Sequence, residues 1–75
     1  IQYAKNAVSA KGTIDADDLK NELKNLIKKE PSARVDYIEF FNPETFQPVS
    51  KVSHGTHLAL AVFVGKTRLI DNASL

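Results

Sequence analysis

The chain has 75 residues, of which 43% are hydrophobic and 25% charged; its formal net charge is +1 and it has no cysteine. A chain this short forms one small domain that buries about 60% of its unfolded surface, so its core supplies roughly 3–5 kcal/mol at most. Disulfides and a thiolate zinc site are excluded, the near-zero charge argues against nucleic acid as a partner, and the longest apolar run, Leu58 to Val64, is far too short for a membrane-spanning helix.

Residues 1–10, IQYAKNAVSA, favour a helix with Ile1, Ala4 and Val8 on one side and Tyr3, Ala7 and Ala10 on another. Gly12 suits its end. Ile1 falls in the middle of this helical pattern and the chain has no Met, so the expectation is a piece of a longer protein. The second helix is announced by Asp15 at the N-cap. Ile14 and Leu19 flank that cap at the spacing of a hydrophobic staple. Asp17 and Asp18 near its start and Lys28 and Lys29 near its end complement the helix dipole. Leu19, Leu23, Leu26 and Ile27 make one apolar stripe, Lys20, Asn21, Lys24 and Asn25 are expected to face water, and Pro31 stops the helix near Lys29 or Glu30.

Val35 to Phe41 is rich in β-branched and aromatic residues and predicts a strand. Strict alternation places Val35, Tyr37, Glu39 and Phe41 on one face and Asp36, Ile38 and Phe40 on the other. Asn42 to Thr45 reads as a type I turn with Pro43 at its second position, and a long connection to Thr56 holds a short extended piece at Val49 to Val52. Leu58 to Val64 and Thr67 to Asn72 are two more strands. Only Gly65 and Lys66 separate them, the filling of a type II′ hairpin turn. That turn sets Val62 opposite Leu69, Ala61 opposite Ile70 and Phe63 opposite Arg68. The middle strand is apolar on both faces, so both faces are expected to be covered. Two short helices cover one, which calls for a further partner on the other.

Gly65-Lys66-Thr67 has the letters that end a phosphate-binding P-loop. The P-loop needs a first glycine five residues earlier and a helix afterwards. Leu60 holds that position and a strand follows, so the amides that cradle phosphate are lacking. His54 and His57 lack the further ligands zinc requires and read as two polar loop histidines. The Asp15–Asp18 cluster lacks the alternation and glycine of an EF-hand and reads as helix capping. Tyr37 and Phe41 suit core or interface packing better than base stacking, because no basic residues interleave with them. No nucleophile–base pair is visible, so no catalytic residue and no metal site are expected here. Lys66 and Arg68 remain as candidates for contact with an anionic substrate held by another domain; the alternative is a solvated turn lysine and a surface arginine.

The stretches RVDYIEFFNPETFQPV and LALAVFVGKTRLIDN, in this order behind a helix pair, resemble the C-terminal domain of the pantothenate synthetases, or pantoate–β-alanine ligases, over about Ala4 to Asn72. The resemblance implies an ATP-dependent ligase on the route to coenzyme A. Pantoate is adenylated with release of pyrophosphate; β-alanine then displaces AMP. It also implies an N-terminal Rossmann-like domain that carries the nucleotide motif and binds ATP and magnesium, a cytoplasmic setting, and homodimers formed largely through that domain. The family's His-x-Gly-His and Lys-Met-Ser stretches do not occur in this chain, so only a lid role carries over. The expectation is therefore an α+β fold, a two-layer sandwich of two helices packed on a three-stranded antiparallel sheet. Residues 1–75 form a C-terminal lid, inactive alone, whose partner is the catalytic domain, met at the uncovered sheet face or the Lys66 tip, and some self-association of the isolated piece is also expected. The alternative is a standalone interaction module without catalytic activity.

Overall fold

The computed structural model describes residues 1–75. Local signals fix the two helices. Helix α1 (Gln2–Lys11) ends at Gly12, whose φ of 77° lets its N–H turn back to the carbonyl of Val8 at 2.7 Å. Strand β1 (Thr13–Asp15) leads directly into helix α2 (Ala16–Lys28). Asp15 caps α2 as expected: its carboxylate accepts the N–H groups of Asp17 and Asp18 at 3.0 and 3.3 Å. The staple residues Ile14 and Leu19 are both buried.

Strands β2 (Ala33–Phe41), β3 (Lys51–Ser53), β4 (His57–Val64) and β5 (Thr67–Ser74) complete the chain. The fold is α+β, with one difference from expectation: there are two antiparallel sheets. The order β2-β4-β5 forms the expected three-stranded sheet, and β1 pairs with β3 in a second. Ile14 stands opposite Val52 in that small sheet, and both are buried. The extended piece expected at Val49 to Val52 falls instead at Lys51–Ser53, a pairing strand that ties the start of α2 to the long connection. A backbone bond from the N–H of Ala16 to the carbonyl of Ser50, 2.9 Å, adds to the tie.

The β4–β5 register is the one the turn dictates: Val62 opposes Leu69, Ala61 opposes Ile70 and Phe63 opposes Arg68. Gly65 has φ 61° and Lys66 does not have positive φ, as a type II′ turn requires. The β2–β4 register slips between Val35 and Tyr37, leaving Asp36 as an extra, bulged residue. A bulge shifts the alternation by one, so the expected faces of β2 are corrected. Val35 joins Ile38 and Phe40 against the core, and Asp36 lies with Tyr37 on the other face, where both meet Arg68.

Ala4 and Val8 of α1, Leu19 and Leu23 of α2, Ile14 and Val52 of the small sheet, and Ile38, Phe40 and Leu58 of the large sheet form one core. Full burial of a side chain such as Leu19, Ile38 or Leu58 stabilises by roughly 1.5–3 kcal/mol. Three α2 positions differ from the expected pattern, one of them Lys24, which is half-buried rather than facing water. Leu26 is exposed at the margin of the stripe, and Lys20 is half-buried along the β2 edge, its Nζ 3.7 Å from Glu39.

Candidate functional site

The sheet face turned away from the helices carries the polar and aromatic groups that packing does not consume. At one end runs the cross-strand row Arg34, Phe63, Arg68. The Arg34 guanidinium lies 4.6 Å from the centre of the Phe63 ring, within cation–π range. Arg68 reaches from β5 across β4 to β2. Its Nε donates to Asp36 Oδ2 at 3.0 Å, a terminal guanidinium nitrogen lies 2.8 Å from the same oxygen, and its centre is 5.9 Å from the Tyr37 ring. Asp36 can be reached because the bulge turns it to this face, and the crossing is low because Ala61 is small. Ala61 is fully buried although no helix covers this side. The cover expected from a partner is here supplied in part by the chain's own arginines.

Lys66 sits exposed at the tip of the β4–β5 turn and belongs to none of the three ion pairs. The turn does not fit a nucleotide phosphate. The N–H of Gly65 is donated to the carbonyl of Ser32 at 3.0 Å, and the turn is flanked by β4 and β5, with no helix N-terminus behind it. Of the two candidate residues, then, Arg68 is engaged within the sheet and Lys66 is free to meet a partner.

At the other end of the same face, Phe41 stacks on Phe46 with ring centres 6.1 Å apart, and His57 lies 5.4 Å from Phe41. His57 is half-buried, with Nδ1 enclosed and unpartnered, while His54 is exposed in the turn before β4. No three of the histidine and acidic side chains converge as metal ligands would. Phe46 was not singled out by sequence reasoning. It is 77% exposed and is the one non-glycine residue with positive φ, 59°. The loop holds it there: the N–H of Phe46 donates to the carbonyl of Asn42 at 2.8 Å, and Asn42 Oδ1 accepts from Glu44 at 2.8 Å. The turn residues Asn42 and Pro43 signal the loop, but nothing in the sequence signals a left-handed phenylalanine.

The carboxyl of Asp15 is made a stronger acid by its place at the start of α2. Its pKa is lowered, chiefly by the backbone N–H of Asp18, with lesser help from Asp17 and from Lys51, whose Nζ is 3.5 Å away. These contacts account for Asp15 as a helix cap.

Together these features define a small α+β domain whose polar sheet face is braced by Arg34 and Arg68 and whose β4–β5 turn presents an exposed lysine. The chain belongs to the pantoate–β-alanine ligase family, whose profile matches residues 1–74. It is 49% identical over 72 residues to a pantothenate synthetase of Caldicellulosiruptor saccharolyticus, a match covering 96% of this chain and 25% of that protein. It is 41% identical to a pantothenate synthetase of Pelobacter propionicus, over all of this chain and 26% of that protein. In three dimensions it is similar to the crystal structure of pantothenate synthetase from Thermus thermophilus, with a TM-score of 0.71 and 26% identity, covering 91% of this chain and 24% of that one. The chain thus spans about a quarter of the length of the relatives it matches.

Proposed function

We propose that this chain is the C-terminal lid of a pantothenate synthetase. The enzyme condenses pantoate with β-alanine through a pantoyl adenylate, giving pantothenate, AMP and pyrophosphate. The observation that carries this reading is the match over nearly the whole chain to only a quarter of each relative. ATP and magnesium are held by the remaining three-quarters, since the Gly65–Thr67 turn offers no phosphate cradle, and the isolated lid is inactive. Its helices form one layer and the three-stranded sheet the other. The enzyme works in the cytoplasm as a homodimer joined through its catalytic domain.

The lid's contribution is to exclude water. An acyl adenylate is hydrolysed by any water that reaches it, so closing a folded domain over the site raises the fraction that reacts with the amine. The sheet face bearing Arg34, Phe63 and Arg68 is the surface that meets the catalytic domain. Lys66 is the group placed to contact an anionic substrate, and Arg68 braces the face beside it.

The test uses the Caldicellulosiruptor synthetase, with its matching quarter either deleted or replaced by this chain. Replacement is expected to retain pantothenate formation. Deletion is expected to uncouple the reaction, so that AMP and pyrophosphate appear with little pantothenate. An unchanged ratio of pantothenate to AMP after deletion refutes the lid role.

A further inference from the structure

Strand β5 is the free edge of the three-stranded sheet. It runs eight residues, Thr67 to Ser74, in unbroken register with β4, with no bulge and no proline. Natural edge strands usually carry such interruptions to block pairing. The two large apolar side chains of β5 are also its most solvent-exposed aliphatics. Leu69 is 53% and Ile70 58% exposed, and as sequence neighbours they point to opposite faces. A partner docking on one sheet face buries one of them. Only a partner added at the edge, in the plane of the sheet, buries both.

The backbone phase agrees. The N–H of Leu75 donates to the carbonyl of Thr56 at 2.8 Å, and the two-residue turn closes at Val64 and Thr67. Residues 67, 69, 71 and 73 therefore turn their backbone groups toward β4, and Arg68, Ile70, Asn72 and Ser74 turn theirs outward. The outward N–H of Asn72 is already taken by the side chain of Asp71, at 2.8 Å. Those of Arg68 and Ile70 stay open, and the Arg68 side chain is drawn inward to Asp36. Helix α2 lies at the opposite edge, beside Lys20's partner Glu39 on β2, so nothing of the helical layer blocks β5.

We propose that β5 pairs antiparallel with β5 of a second copy of this chain, about a two-fold axis at Leu69. The charge order along the strand selects a second copy. Lys66 and Arg68 precede the apolar pair and Asp71 follows it, so antiparallel self-pairing sets the basic end of each copy beside the acidic end of the other. An axis at Leu69 places Arg68 opposite the second copy's Ile70, which uses only the open amides and leaves the Asp71–Asn72 bond intact. Leu69 meets its own counterpart, Thr67 stands opposite Asp71, and no like charges are opposed. This contact is independent of the lid reading, because it concerns an edge rather than the sheet face.

The absence of native cysteine makes cross-linking a clean test. In the proposed register the two Leu69 Cα atoms form a non-hydrogen-bonded pair about 4.5 Å apart, within disulfide reach. The two Ile70 Cα atoms are offset by two residue steps and lie roughly 8 Å apart, beyond it. Leu69→Cys is expected to cross-link under mild oxidation and Ile70→Cys to resist. Sedimentation of the unaltered chain is expected to show a dimer at millimolar concentration. Leu69→Lys, which opposes two ammonium groups at the axis, is expected to weaken the dimer at least about tenfold. Circular dichroism checks that each variant folds. A monomer at millimolar concentration, equal cross-linking of the two cysteine variants, or a dimer indifferent to Leu69→Lys each overturns the proposal.

Discussion

Removal of the Arg68–Asp36 clamp separates a bracing arginine from one reserved for a substrate. Both side chains are more than a third exposed, 44% and 37%, so the ion pair contributes as a surface pair does, about 0.5–1 kcal/mol. The guanidinium sits near the outer limit for cation–π attraction to Tyr37, at 5.9 Å, which adds about 0.5 kcal/mol. The stem that crosses β4 beside Ala61 shields apolar surface, adding about 0.5 kcal/mol more. Arg68→Ala is therefore expected to destabilise by about 1.5–2 kcal/mol, a third or more of the margin of so small a core. For a domain of this size that lowers Tm by roughly 6–15 °C. The assay is urea unfolding of the single variants Arg68→Ala and Asp36→Ala and of the double variant. Direct contact predicts a coupling energy of about 0.5–1 kcal/mol between the two sites, reduced by added salt because the pair is partly screened. Strictly additive losses would falsify the clamp and return Arg68 to the pool of free cations.

Three further outcomes follow from single residues. Asp15→Ala should lower Tm and remove part of the acid sensitivity of unfolding. The carboxyl of Asp15 is held below its ordinary pKa of 3.8 by the Asp18 N–H, so its stabilisation is present above the unfolded pKa and is lost as pH falls through the lower folded value. A stability-versus-pH curve of the variant should accordingly be flatter at its acid end. Gly65→Ala should cost about 1–2 kcal/mol in thermal or urea unfolding, from backbone strain at φ 61° alone, because a β-carbon there meets nothing within 4 Å; Gly65→Asn should cost less. Phe46→Gly should change stability by under about 0.5 kcal/mol, because relief of the left-handed backbone offsets the lost stacking on Phe41, whereas Phe46→Ala should lose about 1 kcal/mol of stacking with no relief.

What was legible in the sequence is what local chemistry determines. Asp15 announces a helix start by its own hydrogen-bonding capacity, and Gly65-Lys66 fixes the whole β4–β5 register because a two-residue turn admits one pairing. What was not legible depends on distant partners. Thr13–Asp15 and Lys51–Ser53 are too short to show periodicity, and each becomes a strand only because the other lies beside it. The bulge at Asp36 reverses the face of Val35, and no residue type there signals it. Lys66 and Arg68 stood out by charge. Whether Arg68 is free, and whether Arg34 reaches Phe63, are set by the β2–β4 register across the long connection from Asn42 to Thr56, which local patterning does not specify.

The same contacts determine what the Lys66 tip can do. A flexible lysine pays side-chain and backbone entropy whenever it settles on a partner. Here the backbone share is already committed. The turn is tied to the start of β2 by the Gly65–Ser32 bond, and the strand leaving it is pinned to β2 by Arg68 and Asp36. Both ties run to β2, the strand against which the helical layer packs, so the tip moves with the body of the domain. On the lid reading, a rigid closing motion would then carry the ammonium to a set position, and only its four-carbon stem would need ordering there. Loosening either tie leaves the charge in place but frees its carrier. Gly65→Ala and Arg68→Ala are therefore expected to weaken substrate engagement by a grafted enzyme through KM even though neither removes the lysine. Equal KM values in the grafted enzyme with and without these substitutions would show that the two ties to β2 do not position Lys66 for substrate.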